Sequence, residues 1–186
     1  MTDHNFVRPS NFVDQYGNQH QLVSELARGG QGVVYRTTDP DLAIKQPLDA
    51  DGAVSQTADL KKKFENIRFL PIPKNIPISF PLAVLRDEAG YVMRLLSEME
   101  KFGAFDMSGT QKALLEREPV PQWLRNMVDK TSMLTLMHYA NTGSTKRRLK
   151  ALSKCASILA RLHASGLVYG DISPNNCFMS QKDSRD

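Results

Sequence analysis

The chain has almost no cysteine. Cys155 and Cys177 are the only two in 186 residues, and their spacing fits neither a zinc site nor the framework of a small secreted domain. A reducing, cytoplasmic location is the expectation. Long apolar runs are missing too. No stretch approaches the roughly 18 uninterrupted apolar residues of a membrane-spanning helix, and residues 1–10 are polar and lack the apolar core of a signal peptide. No membrane association is expected. Charge of one sign is also lacking, since 24 Lys and Arg face 20 Asp and Glu and leave a net +4. So balanced a chain does not indicate nucleic acid as a partner. The densest basic run, Lys146-Arg147-Arg148 with Lys150 and Lys154, reads as a solvated helix face. Neither an internal repeat nor a low-complexity tract is visible.

What the chain does have is 41% hydrophobic residues, enough to bury the core of one domain or of two small lobes. Short runs at 20–26, 33–37 and 42–45 read as strands, the first two joined by Ala27-Arg28-Gly29-Gly30-Gln31-Gly32 and the last two by the turn-forming Thr38-Asp39-Pro40-Asp41. Leu60, Phe64 and Ile67 recur at helical spacing, predicting a helix over 57–69 that the proline-rich residues 71–77 end. Residues 80–86 and 91–96 flank Asp87-Glu88-Ala89-Gly90 and predict an antiparallel hairpin. The expected fold is therefore α+β. Residues 1–96 form a five-stranded antiparallel lobe with one helix, and residues 97–186 form a helical lobe. In the second lobe 114–118 and 122–139 read as partly helical, and 145–164 as an amphipathic helix with Leu149, Leu152, Ala156, Leu159 and Leu162 on one face.

Several residues could carry chemistry. Gly29, Gly30 and Gly32 lie between two strands, where bare backbone can approach a phosphate; a glycine-rich hairpin without a ligand is the plain alternative. Lys45 ends the apolar strand Leu42-Ala43-Ile44-Lys45, and an ammonium there calls for an anion such as a nucleotide's phosphates together with a carboxylate. Glu65, inside the predicted helix, is the natural partner; a snorkelling lysine and a solvated glutamate are the alternative. Asp171 follows Leu167-Val168-Tyr169-Gly170, and Asn176 stands five positions later, the spacing of a carboxylate that takes a hydroxyl proton and an amide that holds magnesium.

Taken in this order, Gly29-Gly30-Gln31-Gly32-Val33-Val34-Tyr35, Ala43-Ile44-Lys45, Glu65, Tyr91-Val92-Met93 and Asp171 to Asn176 resemble the eukaryotic-type protein kinase family. The stretches Tyr169 to Asn176 and Ser79-Phe80-Pro81-Leu82 are most similar to bacterial serine/threonine kinase-like proteins, some of which carry helix-hairpin-helix modules. The resemblance implies ATP and Mg2+ as cofactors and a protein as substrate. By it, Gly29, Gly30 and Gly32 cover the phosphates, Val34 packs on adenine, and Lys45, oriented by Glu65, holds the α and β phosphates. Met93 occupies the gatekeeper position, Arg94 to Leu96 offer backbone hydrogen bonds to adenine, Asp171 acts on the acceptor hydroxyl, and Asn176 ligates the metal.

The pattern also departs from the family. Ala27 replaces the first loop glycine, Tyr169 and Gly170 stand where the family has His and Arg, and Ser173 replaces a lysine that neutralises the transferring phosphoryl group. No Asp-Phe-Gly follows Asn176, and Asp183 and Asp186 lack the Phe-Gly. The resemblance therefore implies an incomplete second lobe, weak ATP binding with little turnover by this polypeptide alone, and a cover for the 145–164 helix from the 97–145 insert or from a partner chain. Two other readings remain open: a non-catalytic ATP-binding pseudokinase or interaction module, and a small-molecule kinase.

Overall fold

The computed structural model describes residues 11–55, 58–127 and 129–181. Expectations for residues 1–10, Thr57, Asp183 and Asp186 lie outside them. The described residues divide into two compact units, one holding residues up to 71 and 77–97, the other 72–76 and the residues from 98 on. The α+β class is as expected, with antiparallel strands and one helix in the first unit and helices dominating the second.

In the first unit, runs rich in β-branched and aromatic residues form β1 (Asn11–Val13), β2 (Gln19–Gly29), β3 (Gly32–Thr37), β4 (Leu42–Gln46), β5 (Ala83–Val84) and β6 (Tyr91–Arg94), with α1 (Ala58–Arg68) between β4 and β5. They form one antiparallel sheet in the order β1-β2-β3-β4-β6-β5. Six strands replace the expected five. β1 is too short to show alternation and takes strand form by pairing with β2, Phe12 opposite His20. The strand expected over 80–86 shrinks to two residues. Pro81 has no N–H for the ladder, and beyond Val84 the chain leaves β6 to meet β1.

That meeting closes the sheet. The Gln15 N–H donates to Val84 O (2.9 Å) and the Arg86 N–H to Val13 O (2.8 Å), with Asp14 bridged to Leu85. Two edges that would expose unpaired backbone satisfy each other instead. Phe12, Ile44, Ala83, Leu85 and Val92, flanked by Leu22 and Leu42, form the core inside. At the seam the buried Asp14 carboxylate accepts the N–H groups of Tyr16 and Asn18 and the Asn18 Nδ2 amide, each at 2.9 Å, and pairs with His20 Nε2 at 3.1 Å. Burial alone would raise this carboxyl; the Asn18, His20 and Tyr16 hydrogen bonds outweigh it and hold the carboxyl below its ordinary value.

Helix α1 packs through Phe64, whose ring meets Tyr91 edge-on with centroids 4.8 Å apart. Lys61 Nζ donates to Arg86 O (2.7 Å) and Arg68 Nε to Leu82 O (3.0 Å), fixing both ends of the helix to the segment carrying β5.

The second unit runs through β7 (Met99–Lys101), a 3-10 turn (Phe102–Phe105), α2 (Gly109–Leu115), a second 3-10 turn (Gln122–Leu124), α3 (Lys130–Asn141), α4 (Ser144–Ala164) and β8 (Phe178–Ser180). Helix α2 starts earlier than expected because Ser108 and Gln111 form a capping box. The helix expected over 122–139 is split. Asp129 caps a new start, accepting the N–H groups of Thr131 (3.2 Å) and Ser132 (2.8 Å). Leu115, Leu124, Leu134 and Met137 form this unit's core.

Helix α4 bears out the solvated reading of the basic run at the exposed Lys146, Lys150 and Lys154 and corrects it at Arg147 and Arg148. Arg147 is buried and ion-paired with Glu100 of β7. Arg148 stacks over Phe105 and Tyr139, 4.5 and 4.4 Å from the ring centroids, and donates to Ser144 O and Thr142 Oγ1. A carboxylate and two aromatic faces from distant segments make burial of these guanidinium groups tolerable. Of the apolar face expected on this helix, Leu162 is buried, whereas Leu149 and Leu152 are 61% and 57% exposed.

Removing the seam carboxylate tests its weight. Asp14→Ala is expected to cost about 3 kcal/mol at neutral pH, measured by urea unfolding. Because the folded carboxyl titrates below its unfolded value, its contribution is fully present above the ordinary carboxylate range and is lost as pH falls through the folded value. The gap between Asp14→Asn and the parent chain should therefore narrow in acid.

Candidate functional site

Strand register decides which side chains share a face. In β3, β4 and β6, Val34 lies opposite Lys45 and Lys45 opposite Tyr91, while Ala43 lies opposite Met93. Since alternate residues point the same way, Val34, Ala43, Lys45 and Met93 occupy one face, and Tyr35, Ile44 and Val92 turn into the core on the other. Three of the residues singled out from the sequence thus come together, although they sit on three different strands. Met93 additionally accepts a hydrogen bond at Sδ from Ser79 Oγ (3.2 Å).

At the end of β6 the Leu95 N–H donates to Asp41 O at 2.8 Å. By the alternation of an antiparallel ladder, the backbone groups of Arg94 turn to the side away from β4.

The glycines divide into two kinds. Gly29 and Gly32 face each other at the end of the β2–β3 hairpin, closed by Gly30 and Gln31. A Cβ at Gly32 would lie 2.7 Å from the Gln46 carbonyl oxygen and 3.2 Å from Lys45 Cε, so glycine there is demanded by the close approach of β3 to β4. A Cβ at Gly29 or Gly30 would meet nothing within 4 Å, and neither has a left-handed φ. The packing of the described residues does not require glycine at these two positions.

Lys45 is half-buried at the end of β4, and Glu65 is half-buried on α1, next to Phe64. Phe64 packs on Tyr91, the cross-strand neighbour of Lys45, yet no ion pair joins Lys45 to Glu65 among the described residues. The expected orientation of Lys45 by Glu65 is therefore not made in this structure. The α1 anchors are Phe64, Lys61 and Arg68, and none of them ties the Glu65 carboxylate to the strand.

In the second unit the chain leaves α4 through a Schellman turn. Gly166, at φ +76°, donates to His163 O (2.9 Å), and the Leu167 N–H donates to Leu162 O (3.0 Å). The following segment is largely solvent-facing, with Val168 83% exposed, until it is pinned again at Ser173. There the N–H groups of Asn176 (3.0 Å) and Cys177 (3.1 Å) donate to Ser173 O, the Gly103 N–H donates to Pro174 O (2.9 Å), and β8 then pairs with β7.

Within this loop Asn176 Nδ2 donates to the Asp171 carboxylate at 2.7 Å and to Asp171 O at 3.2 Å. The amide orientation leaves Asn176 Oδ1 as an acceptor beside a carboxylate. Among the described residues no group of three or more His, Cys, Asp or Glu side chains converges on a metal position. Asn176 Oδ1 alone nonetheless suits magnesium, which keeps several waters and takes its remaining ligands from phosphates. Tyr169 stands by this carboxylate; burial first, then the charges of Asp171 and Cys177, raise its phenol, which stays protonated.

Sequence reasoning missed two features near the loop. The Arg147–Glu100 pair holds β7, against which β8 and the end of the loop are built. Cys155 Sγ and Cys177 Sγ, read as unrelated, lie 4.0 Å apart. Neither carries a local signal, because each joins residues far apart in the chain.

The chain is similar over 98% of its length, with 18% identity and a TM-score of 0.48, to a solved structure described as that of vaccinia related kinase 3, of which it spans half. No family model matches the chain, and no curated protein does. No helix among the described residues is long and apolar enough to cross a membrane.

The two kinds of glycine make a sharp test. Gly32→Ala is expected to lower stability by about 1–3 kcal/mol through overlap with Gln46 O. Gly30→Ala, which points into open space, should leave it within about 0.5 kcal/mol. Thermal melts of the two variants compare them directly.

Proposed function

We propose that this chain is a protein-kinase-like, ATP-dependent phosphotransferase of the serine/threonine type. The observation that carries the reading is the common face of Val34, Ala43, Lys45 and Met93. An apolar floor ending in an ammonium, beside backbone groups of Arg94 that turn away from β4, is what an adenine ring and a phosphate chain require together. Val34 and Met93 would contact the base, Arg94 and Leu96 would hydrogen-bond its edge, and Lys45 would neutralise the phosphates. Gly29 and Gly30 support the same reading. Their lack of side chains is not required by packing, and it leaves the hairpin backbone open to a ligand.

Bound ATP with Mg2+ supplies the phosphoryl group for transfer. Asn176 Oδ1 would take a place in the metal's shell, its Nδ2 anchored on Asp171. The Asp171 carboxylate would accept the proton of a protein hydroxyl and aim its oxygen. Ser173 offers no positive charge where the related enzymes have a lysine, so turnover by this polypeptide alone is expected to be slow.

A second reading, a non-catalytic ATP-binding module, is favoured by one observation: among the described residues no ion pair joins Lys45 to a carboxylate, while Val34, Ala43, Lys45 and Met93 keep a common face. Thermal-shift and transfer assays separate the two. ATP is expected to raise the melting temperature, and Lys45→Ala to abolish the rise; no rise for the parent chain sinks both readings. With magnesium, labelled γ-phosphate should pass slowly to a protein acceptor and fall by roughly 100-fold or more in Asp171→Ala. Binding that is indifferent to magnesium, without transfer, establishes the binding module.

A further inference from the structure

The two thiols of this chain, twenty-two positions apart, meet in the second unit. Cys155 Sγ on α4 lies 4.0 Å from Cys177 Sγ, just ahead of β8, and both residues are half-buried and unbridged. A disulfide needs its sulfurs about 2.05 Å apart. The remaining gap of about 2 Å is of the size that rotation about a Cα–Cβ bond can close. Each thiol has no other cysteine in its chain to pair with, and partial exposure leaves both open to a small reagent.

We infer that Cys155 and Cys177 form a reversible oxidation site, a dithiol that a peroxide converts to an intramolecular disulfide tying α4 to the junction between the Asp171–Asn176 loop and β8. One thiolate attacks the peroxide O–O bond, giving a sulfenic acid and, after protonation, water. The second thiol attacks the sulfenic sulfur; the S–S bond forms, the S–O bond breaks, and a second water leaves. The two thiols lose two electrons and two protons, and hydrogen peroxide is reduced to two waters.

The position gives the bond a consequence. Cys177 directly follows Asn176, its N–H donates to Ser173 O and its carbonyl accepts from the Phe102 N–H (2.9 Å). The cross-link fixes the end of the loop whose Asn176 holds the Asp171 carboxylate. This inference does not depend on the nucleotide reading.

The test uses the full chain, purified under reductant, desalted and exposed to hydrogen peroxide. Free thiols are then alkylated, and the products are separated on a non-reducing gel and digested for mass spectrometry. The expected product is a monomer in which both cysteines resist alkylation and the peptides bearing them are joined, with Arg161 offering a cleavage point between them. Dithiothreitol should restore both thiols, and the oxidised monomer should melt above the reduced one. That rise should be absent in Cys155→Ser and in Cys177→Ser. Thiols that stay alkylatable, disulfides only between two chains, or direct passage to sulfinic acid would each overturn the inference. The decisive products come from the parent chain, so a variant that fails to fold leaves the result standing.

Discussion

The register of β4 against its two neighbours is the constraint on which the first unit depends. Ile44 must face Tyr35 and Val92 in the core for the sheet to bury its apolar side, and that choice fixes Lys45 on the opposite face with Val34, Ala43 and Met93. A slip of a single residue would turn Lys45 inward and Ile44 outward. Core and candidate site are thus two faces of one decision. The pairing of β1 with the β5 segment protects it, because a sheet whose two edges are joined has little freedom to shift.

The second unit uses a different device. Its loop from Asp171 to Asn176 lies outside helix and strand, and its geometry is borrowed from what surrounds it. Ser173 and Pro174 receive backbone N–H groups, β8 anchors the far end on β7, and Glu100 of β7 is held by the buried Arg147. The hydrogen-bonded Asp171 carboxylate and Asn176 amide are therefore held in a loop whose anchor is an ion pair that neither of them touches. The Asp171–Asn176 hydrogen bond is local, but its surroundings are not.

The sequence showed most of what is periodic and little of what is not. Strands β2, β3 and β4, helix α1 and helix α4 were legible because alternation or a 3.6-residue repeat writes burial directly into residue order. Lys45 was legible as a charge breaking an apolar strand, and Asp171 with Asn176 as a fixed spacing. Strand β1 was not, since three residues carry no period. Arg147 was read as solvated because its partner Glu100 lies far back in the chain, and the ion pair expected between Lys45 and Glu65 rested on spacing alone. The two cysteines stayed hidden for the same reason: packing among side chains distant in sequence leaves no trace in local pattern.

The β7–β8 ladder joins residues with α2, α3 and α4 all lying between them. Such a pairing forms only after a long excursion of chain has been gathered in, and topologies of that kind fold slowly relative to helices that close on their neighbours. The order of assembly follows from this. Helices can condense around Leu124 and Leu134 first, leaving the stretch that carries Asp171 to be shaped among the last parts of the molecule.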